Sequence, residues 1–406
     1  MLAVVLLLAS WAALHEGFYA RDQIIDTPVY ENYGEAMTRG EVPYRDFELE
    51  YPPAALPVFL VPALGRSGTD TDSFRRLFEA LMLVCGAIAL GAMAGALGAL
   101  GAAPRRVLGA LGFAALAPLA VGSVLLSRFD LWPAALTAAA LAAFVSARER
   151  IGFGLLGLAV AAKLFPGVLL PLALAQVWRS RGRREAVVGV GIFAAALGAC
   201  FLPFLVLGPG GVVESISRQL SRPLQIESLG SAVLLAAHHL FDVGLTLRDG
   251  SGSQNLVGAA PDAIALVQSL VQVVALAALW VAFARRRGGP ERFVRYSAAA
   301  VVAFIALGKV LSPQFLIWLV PLVPLVRGAR GVAASALLGV AMVLTQLWFP
   351  SRYWELVAFD ALPSWLLLAR DLTLLALLAL LLWPARTRGQ VLQSSNAASM
   401  QDPTSH

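Results

Sequence analysis

The residues able to do chemistry fall into three groups. The first is a polar stretch after the opening apolar run: Asp26-Thr-Pro-Val-Tyr30-Glu-Asn-Tyr33-Gly-Glu-Ala, then Arg39-Gly-Glu-Val-Pro43-Tyr44-Arg-Asp46-Phe-Glu48-Leu-Glu50-Tyr51-Pro52-Pro53. Carboxylates this close to an apolar boundary can transfer protons, because partial desolvation raises their proton affinity. The plain alternative is a solvated acid-rich loop. The second group is the lysines: of 31 basic side chains only Lys163 and Lys309 are lysine. An ammonium is a compact point charge that pairs with phosphate, and an ionisable residue inside an apolar segment is a functional candidate by default. Snorkelling to an interface is the competing role, but arginine would serve it equally well. The third group is Arg218-Gln219-Leu-Ser-Arg222-Pro223-Leu-Gln225-Ile-Glu227-Ser228. Donors and acceptors there are interleaved with apolar residues, which suits sugar hydroxyls and phosphate oxygens; an ordinary polar loop has the same composition. His238 and His239 are adjacent and cannot share a helical face, so they are interfacial polar residues rather than metal ligands. No metal and no cofactor are expected. Cys85 and Cys200 each lie inside an apolar run, which argues against disulfides and metal clusters.

These groups must be positioned by elements that live in lipid. The 406 residues are 59% hydrophobic and 14% charged, with a mean hydropathy of +0.75, whereas a soluble globule carries roughly 25% charged residues to wet its surface. Repeated apolar runs reach the roughly 20 residues a helix needs to cross the hydrocarbon. The fold class expected is an all-α polytopic integral membrane protein, with spans at about 1–19, 76–99, 107–126, 131–146, 186–207, 261–284, 293–310, 315–326, 331–349 and 364–383. The first lacks a basic n-region and a small-residue cleavage site, so it is a span rather than a signal peptide. The net charge of +6 sits in short arginine clusters between apolar runs, which is the pattern of cytoplasmic loops and excludes nucleic acid as a partner.

Placing every arginine cluster on the cytoplasmic side puts both chain ends there and leaves one irregularity. Segments 147–150 and 179–184 are both basic, so Ile151 to Trp178 must enter and leave on the same side. Its halves are only about 18–20 Å long as helices, short of the ~30 Å hydrocarbon. A re-entrant helical hairpin follows, with Lys163-Leu-Phe-Pro166 at its tip. The long loops 20–75 and 208–260 then lie outside and carry short apolar helices at Pro53–Leu64 and Ser228–Phe241. A single membrane domain covers 1–388, and the polar stretch 389–406 is expected to be disordered.

The pieces resemble polyprenyl-phosphate-sugar-dependent glycosyltransferases of the C-type fold, and among them glycosyltransferase family 87, a bacterial mannosyltransferase-like group. The resemblance rests on Asp26 and Tyr30, Gly40 to Tyr44, Tyr51-Pro52-Pro53, Lys-Leu-Phe-Pro at 163–166, Arg-Pro-Leu-Gln-Ile-Glu-Ser at 222–228 and Lys-Val-Leu-Ser-Pro-Gln at 309–314. Where many members carry Gly-Gln-x-Asn after the third span, this chain has Ser127-Arg128-Phe129-Asp130, which bears on the donor more than on the fold. The resemblance implies a C-type fold with juxtamembrane helices in the first outside loop, in a bacterial cytoplasmic membrane with the active site facing outward. It implies inverting transfer of a hexose, mannose foremost, or a pentose from polyprenyl phosphate to a lipid or glycan hydroxyl, with Asp26 as general base. Lys163, Arg222 and Lys309 are the donor-phosphate candidates, and Tyr30, Tyr44, Tyr51, Gln225, Glu227 and Gln314 the other substrate-binding candidates. The rival is a lipid flippase or transporter, which needs polar residues at mid-depth along several helices. Here they gather at the outer ends and outer loops, which favours chemistry at one surface.

Overall fold

The computed structural model describes residues 1–21, 23–65, 71–250 and 252–384. Asp22 and the 389–406 tail lie outside the described residues. The Ala- and Leu-rich runs form helices, since strong helix formers in an apolar surrounding must satisfy every backbone polar group within their own segment. Among the described residues six helices are long and apolar enough to cross a membrane: Asp72–Ala99, Pro104–Val121, Arg183–Leu207, Ala259–Arg285, Gly328–Trp348 and Ala361–Leu382. The chain is a multi-pass membrane protein. Shorter apolar helices at Leu2–Ala13 and Leu131–Val145 and the 17-residue helix Pro290–Ala306 pack among them.

Several expected spans are shorter or broken. The first helix ends at Ala13, not at residue 19; a turn and Gly17 at φ +57 follow, then a 3-10 turn at Gly17–Ala20. The 107–126 run is interrupted at Gly122, φ +75, which separates Pro104–Val121 from the short Val124–Ser127 helix. The 315–326 run is no span at all. It folds as 3-10 turns Pro313–Leu319 and Val323–Leu325, because Pro321 and Pro324 remove donors and clash with the preceding turn of an α-helix. The all-α expectation also needs amendment. The second long loop holds a small antiparallel sheet in which Ser253–Val257 is the middle strand between Leu224–Gln225 and Thr246–Gly250.

Ion pairs tie one end of the bundle together. Glu149 accepts from Arg181 at 2.9 Å, Arg150 meets Glu185 at 2.8 Å, and Arg106 meets Glu291 at 2.7 Å. Arg179 donates to the carbonyls of Phe283 at 3.1 Å and Arg286 at 3.2 Å. The Glu149–Arg181 contact closes the hairpin: helices Glu149–Ala162 and Leu170–Arg181 start and finish at the same end. The turn between them is forced by sequence. Lys163 is extended (φ −162, ψ 142), Pro166 opens the 3-10 turn Phe165–Leu169, and Pro171 starts the returning helix. Fourteen helical residues at 1.5 Å each put the Lys163 tip about 21 Å from the ion-paired end.

At the far end the first long loop folds onto the bundle. Thr27–Thr38 packs against Leu56–Leu64 so closely that a Cβ on Gly34 would lie 2.5 Å from the Phe59 carbonyl oxygen. The aromatic rings of Tyr30, Tyr51, Phe59 and Phe129 interlock there, with Tyr30 stacked on Phe59 at 4.7 Å and Tyr51 edge-on to Phe129 at 4.8 Å.

Candidate active site

A cavity of about 1120 Å³ opens above the hairpin tip. One wall is polar and includes Asp26, Arg128, Asp130, Lys163, Arg222 and Lys309; the other is apolar, with Phe201, Ile216, Leu266 and Val273. The apolar wall comes from the Arg183–Leu207, Pro209–Leu220 and Ala259–Arg285 helices.

Two opposite-charge pairs organise the polar wall. Asp26 stands at the N-cap position of Thr27–Thr38 and is ion-paired with Arg128, while the Tyr30 hydroxyl approaches its Oδ2 at 3.5 Å. Burial pulls the Arg128 guanidinium down to about 10, with Asp130 and Glu227 opposing the shift. It therefore stays charged at neutral pH. Lys163 Nζ donates to Asp130 Oδ1 at 2.7 Å, and the Trp318 indole donates to the same oxygen at 2.6 Å. Trp318 is held by two rings: Phe165 of the tip stacks on it at 4.0 Å and Phe315 at 4.1 Å. Lys163 Nζ also lies 4.7 Å from the centre of the Phe129 ring. An ammonium has three donors, so the Asp130 bond leaves capacity for an oxygen in the cavity, at a charge already half-spent.

A second constellation comes from the sheet. Gln225 is pinned by strand pairing and by its amide, which donates to the Lys309 carbonyl at 3.0 Å. Its side chain donates to Glu227 at 2.6 Å, and Ser312 donates to the same carboxylate at 3.0 Å. Ser228 caps the Leu229–Phe241 helix immediately afterwards. Arg370, fully buried and paired with Asp371 at 2.7 Å, donates to the Glu227 carbonyl at 2.6 Å. Burial drives the Glu227 carboxyl up to about 7, against the pull of Arg370, Ser312, Arg128 and Arg222. Arg222 donates to Ser253 Oγ at 2.9 Å, and Lys309 Nζ donates to the Leu220 carbonyl at 3.1 Å.

The structure gathers the proton-transfer, phosphate and substrate-binding candidates around one chamber: Asp26, Tyr30, Tyr44, Tyr51, Lys163, Arg222, Gln225, Glu227, Lys309 and Gln314 all border it, whereas Asp46, Glu48 and Arg218 do not. Their situations differ. Tyr30 is 1% exposed within the aromatic cluster, and the Tyr44 hydroxyl donates to the Tyr51 carbonyl at 2.5 Å; both shape the wall more than they offer free groups. Arg128, Asp130, Ser312, Trp318 and Tyr353 border the same chamber and did not emerge as candidates from sequence. The signal for Arg128 and Asp130 was the charged Ser127–Asp130 turn itself. For Arg370 and Asp371 it was a charge pair inside an apolar run, since such residues are costly unless partnered inward.

Comparison with known proteins gives the class: a membrane glycosyltransferase. Residues 49–313 match the model of glycosyltransferase family 87, and the chain belongs to that family. No curated protein matches it. Among solved structures, it is similar to the Archaeoglobus fulgidus oligosaccharyltransferase in its apo form, with 13% identity and a TM-score of 0.42. That alignment covers 99% of this chain and 58% of the other, so the chain spans less than two thirds of that protein's length.

Proposed function

We propose that the chain is an inverting transferase that takes a hexose, mannose foremost, or a pentose from polyprenyl phosphate. The sugar passes to a hydroxyl of a lipid or glycan on the outer face of a bacterial cytoplasmic membrane. One observation carries the reading: a single chamber of about 1120 Å³ combines a cation-bearing polar wall with apolar residues of two span helices, Arg183–Leu207 and Ala259–Arg285. A polyprenyl phosphate sugar has the same two halves. Its phosphate would face Lys163, Arg222 and Lys309 while its tail lies along Phe201, Leu266 and Val273.

In this reading Asp26 takes the proton of the acceptor hydroxyl. The acceptor oxygen bonds to the anomeric carbon as the bond from that carbon to the phosphate oxygen breaks. Polyprenyl phosphate leaves with the electron pair, and the cations stabilise the charge that develops on it. Arg128 holds Asp26 against the chamber wall, and the Gln225–Glu227–Ser312 network is available to sugar hydroxyls.

The test is transfer by the chain in lipid nanodiscs supplied with radiolabelled polyprenyl-phosphate mannose or arabinose and membrane glycolipid and glycan fractions. Labelled product from one of these donors is expected. Absence of both label transfer and donor cleavage with both donors would sink the reading.

A further inference from the structure

A smaller cavity of about 470 Å³ adjoins the chamber, and nothing in the mechanism above uses it. The two share Tyr44, Glu50, Ser215, Gln219 and Arg222 as a common wall. Their other walls differ in kind. Phe201, Leu266 and Val273 border only the chamber. The smaller cavity lies between the turn at 42–50 and the Pro209–Leu220 helix, both outside the six candidate spans. The Tyr33 and Phe47 rings, centres 6.0 Å apart and inclined by 22°, face it together with the carboxylates of Asp46, Glu48 and Glu214.

The space is built rather than left over. Tyr44 adopts φ +67 at the head of its turn, where its amide donates to the Phe47 carbonyl at 3.1 Å. A Cβ on Gly211 would lie 2.0 Å from the Tyr44 carbonyl oxygen, so only glycine lets the helix come this close. Across the gap Arg218 donates to Glu48 at 2.5 and 3.1 Å and to Glu214 at 2.6 Å. Gln219 donates to the Glu50 carbonyl at 3.2 Å.

We propose that this vestibule is the acceptor subsite, and that it takes an uncharged glycan arriving from the solvent side. The inference rests on the transferase reading and narrows it: the acceptor's sugar, not a lipid chain, is what the enzyme grips. Three observations lead there. Stacked aromatic faces pack against the C–H faces of a pyranose while carboxylates accept from its hydroxyls. The volume falls in the ~300–1,000 Å³ range of small-molecule sites. The charge balance disfavours an anion, because the carboxylates of Asp46, Glu48, Glu50 and Glu214 outnumber Arg45, Arg218 and Arg222 along its walls, and Arg45 is held by Asp46 at 2.8 Å and Arg218 by Glu48 and Glu214. Glu50, on the common wall, would meet the acceptor hydroxyl as it crosses toward Asp26.

The test places a thiol in the vestibule with Glu214→Cys, in the full chain in nanodiscs, on a Cys200→Ser background since Cys85 is buried. The rate of modification by a bulky membrane-impermeant maleimide is read with and without probes. Mannotriose, maltotriose or arabinotriose at about ten times its dissociation constant is expected to slow modification roughly tenfold, while mannose 6-phosphate and farnesyl phosphate leave the rate unchanged. After modification, label transfer to glycan is lost while cleavage of the donor to free sugar persists. The proposal is overturned if none of the three oligosaccharides slows modification, or if farnesyl phosphate slows it as much as they do. It is equally overturned if the modified protein still transfers at the unmodified rate. Failure of donor cleavage in the unmodified protein refutes the transferase reading instead, and sugar protection of the thiol still reports on the vestibule.

Discussion

Lys163→Ala leaves the Asp130 carboxylate, 1% exposed, without its ammonium partner. The Trp318 indole still donates to Oδ1 at 2.6 Å, and Oδ2 has no hydrogen-bond partner among the described residues. Removing one member of a buried pair costs ~3–5 kcal/mol, a large share of the ~5–15 kcal/mol that holds a typical fold together. The folded-to-unfolded ratio therefore drops by roughly 10²–10⁴-fold. Asp130→Asn strands a charge that is better hydrated, since Lys163 keeps 16% exposure and the aromatic face of Phe129 at 4.7 Å, so it costs less. The double variant removes both charges and recovers much of the loss, with a coupling of about 0.5–3 kcal/mol. Melting temperatures in detergent, read as the fraction remaining monodisperse after heating, are expected to rank wild type first, then Asp130→Asn and the double variant, with Lys163→Ala lowest. Wild-type melting of Lys163→Ala, or a double variant whose loss is the sum of the singles, would refute the pairing argument. Turnover separates the second role of Lys163. If the double variant recovers stability but not transfer, the ammonium also serves the donor phosphate; if both recover together, it serves only the fold. On sequence alone Lys163→Ala weakens donor binding and leaves folding intact; the ion pair adds the cost in stability.

Asp26→Asn keeps size and removes the proton acceptor, so transfer should fall by ~10²–10⁴-fold while donor binding persists; near-normal turnover with a dead Glu50→Gln or Asp46→Asn variant would move the base to that residue. Because the folded Glu227 carboxyl is raised to about 7 from an ordinary 4.5, the folded state keeps a proton that the unfolded state has released. The contribution of Glu227 to stability is therefore full below pH 4.5, declines by on the order of 3 kcal/mol as pH rises to about 7, and is flat beyond. Glu227→Gln removes that share of the decline, and unfolding curves of wild type and variant taken across the window check it. For topology, an impermeant thiol reagent applied from outside should modify cysteines placed near Ser217 and Gly250 and spare one near Arg183; labelling at Arg183 removes the outward-facing assignment.

What the sequence determined by itself is what depends on neighbours along the chain. The length of an apolar run and the arginines at its ends are local quantities, so the long helices and their common basic end are visible without coordinates. So is the hairpin, since basic residues on both sides of 151–178 require a return. Single residues carry local meaning too, but hydropathy outweighs it in the expected span at 315–326, where Pro321 and Pro324 break the run into 3-10 turns. The strands Leu224–Gln225, Thr246–Gly250 and Ser253–Val257 escaped because two to five residues are too few for an alternation to stand out. Partnership was decided by tertiary structure alone. Lys163 finds Asp130 33 residues away, Trp318 reaches the same carboxylate across 188, and Ser312 reaches Glu227 across 85. An ionisable group takes its protonation and its role from whatever folding brings within hydrogen-bond reach in a low-dielectric surrounding. A sequence can therefore nominate Lys163 or Glu227 as chemistry, but only the packed chamber determines which charge is already spent and which still faces the substrate.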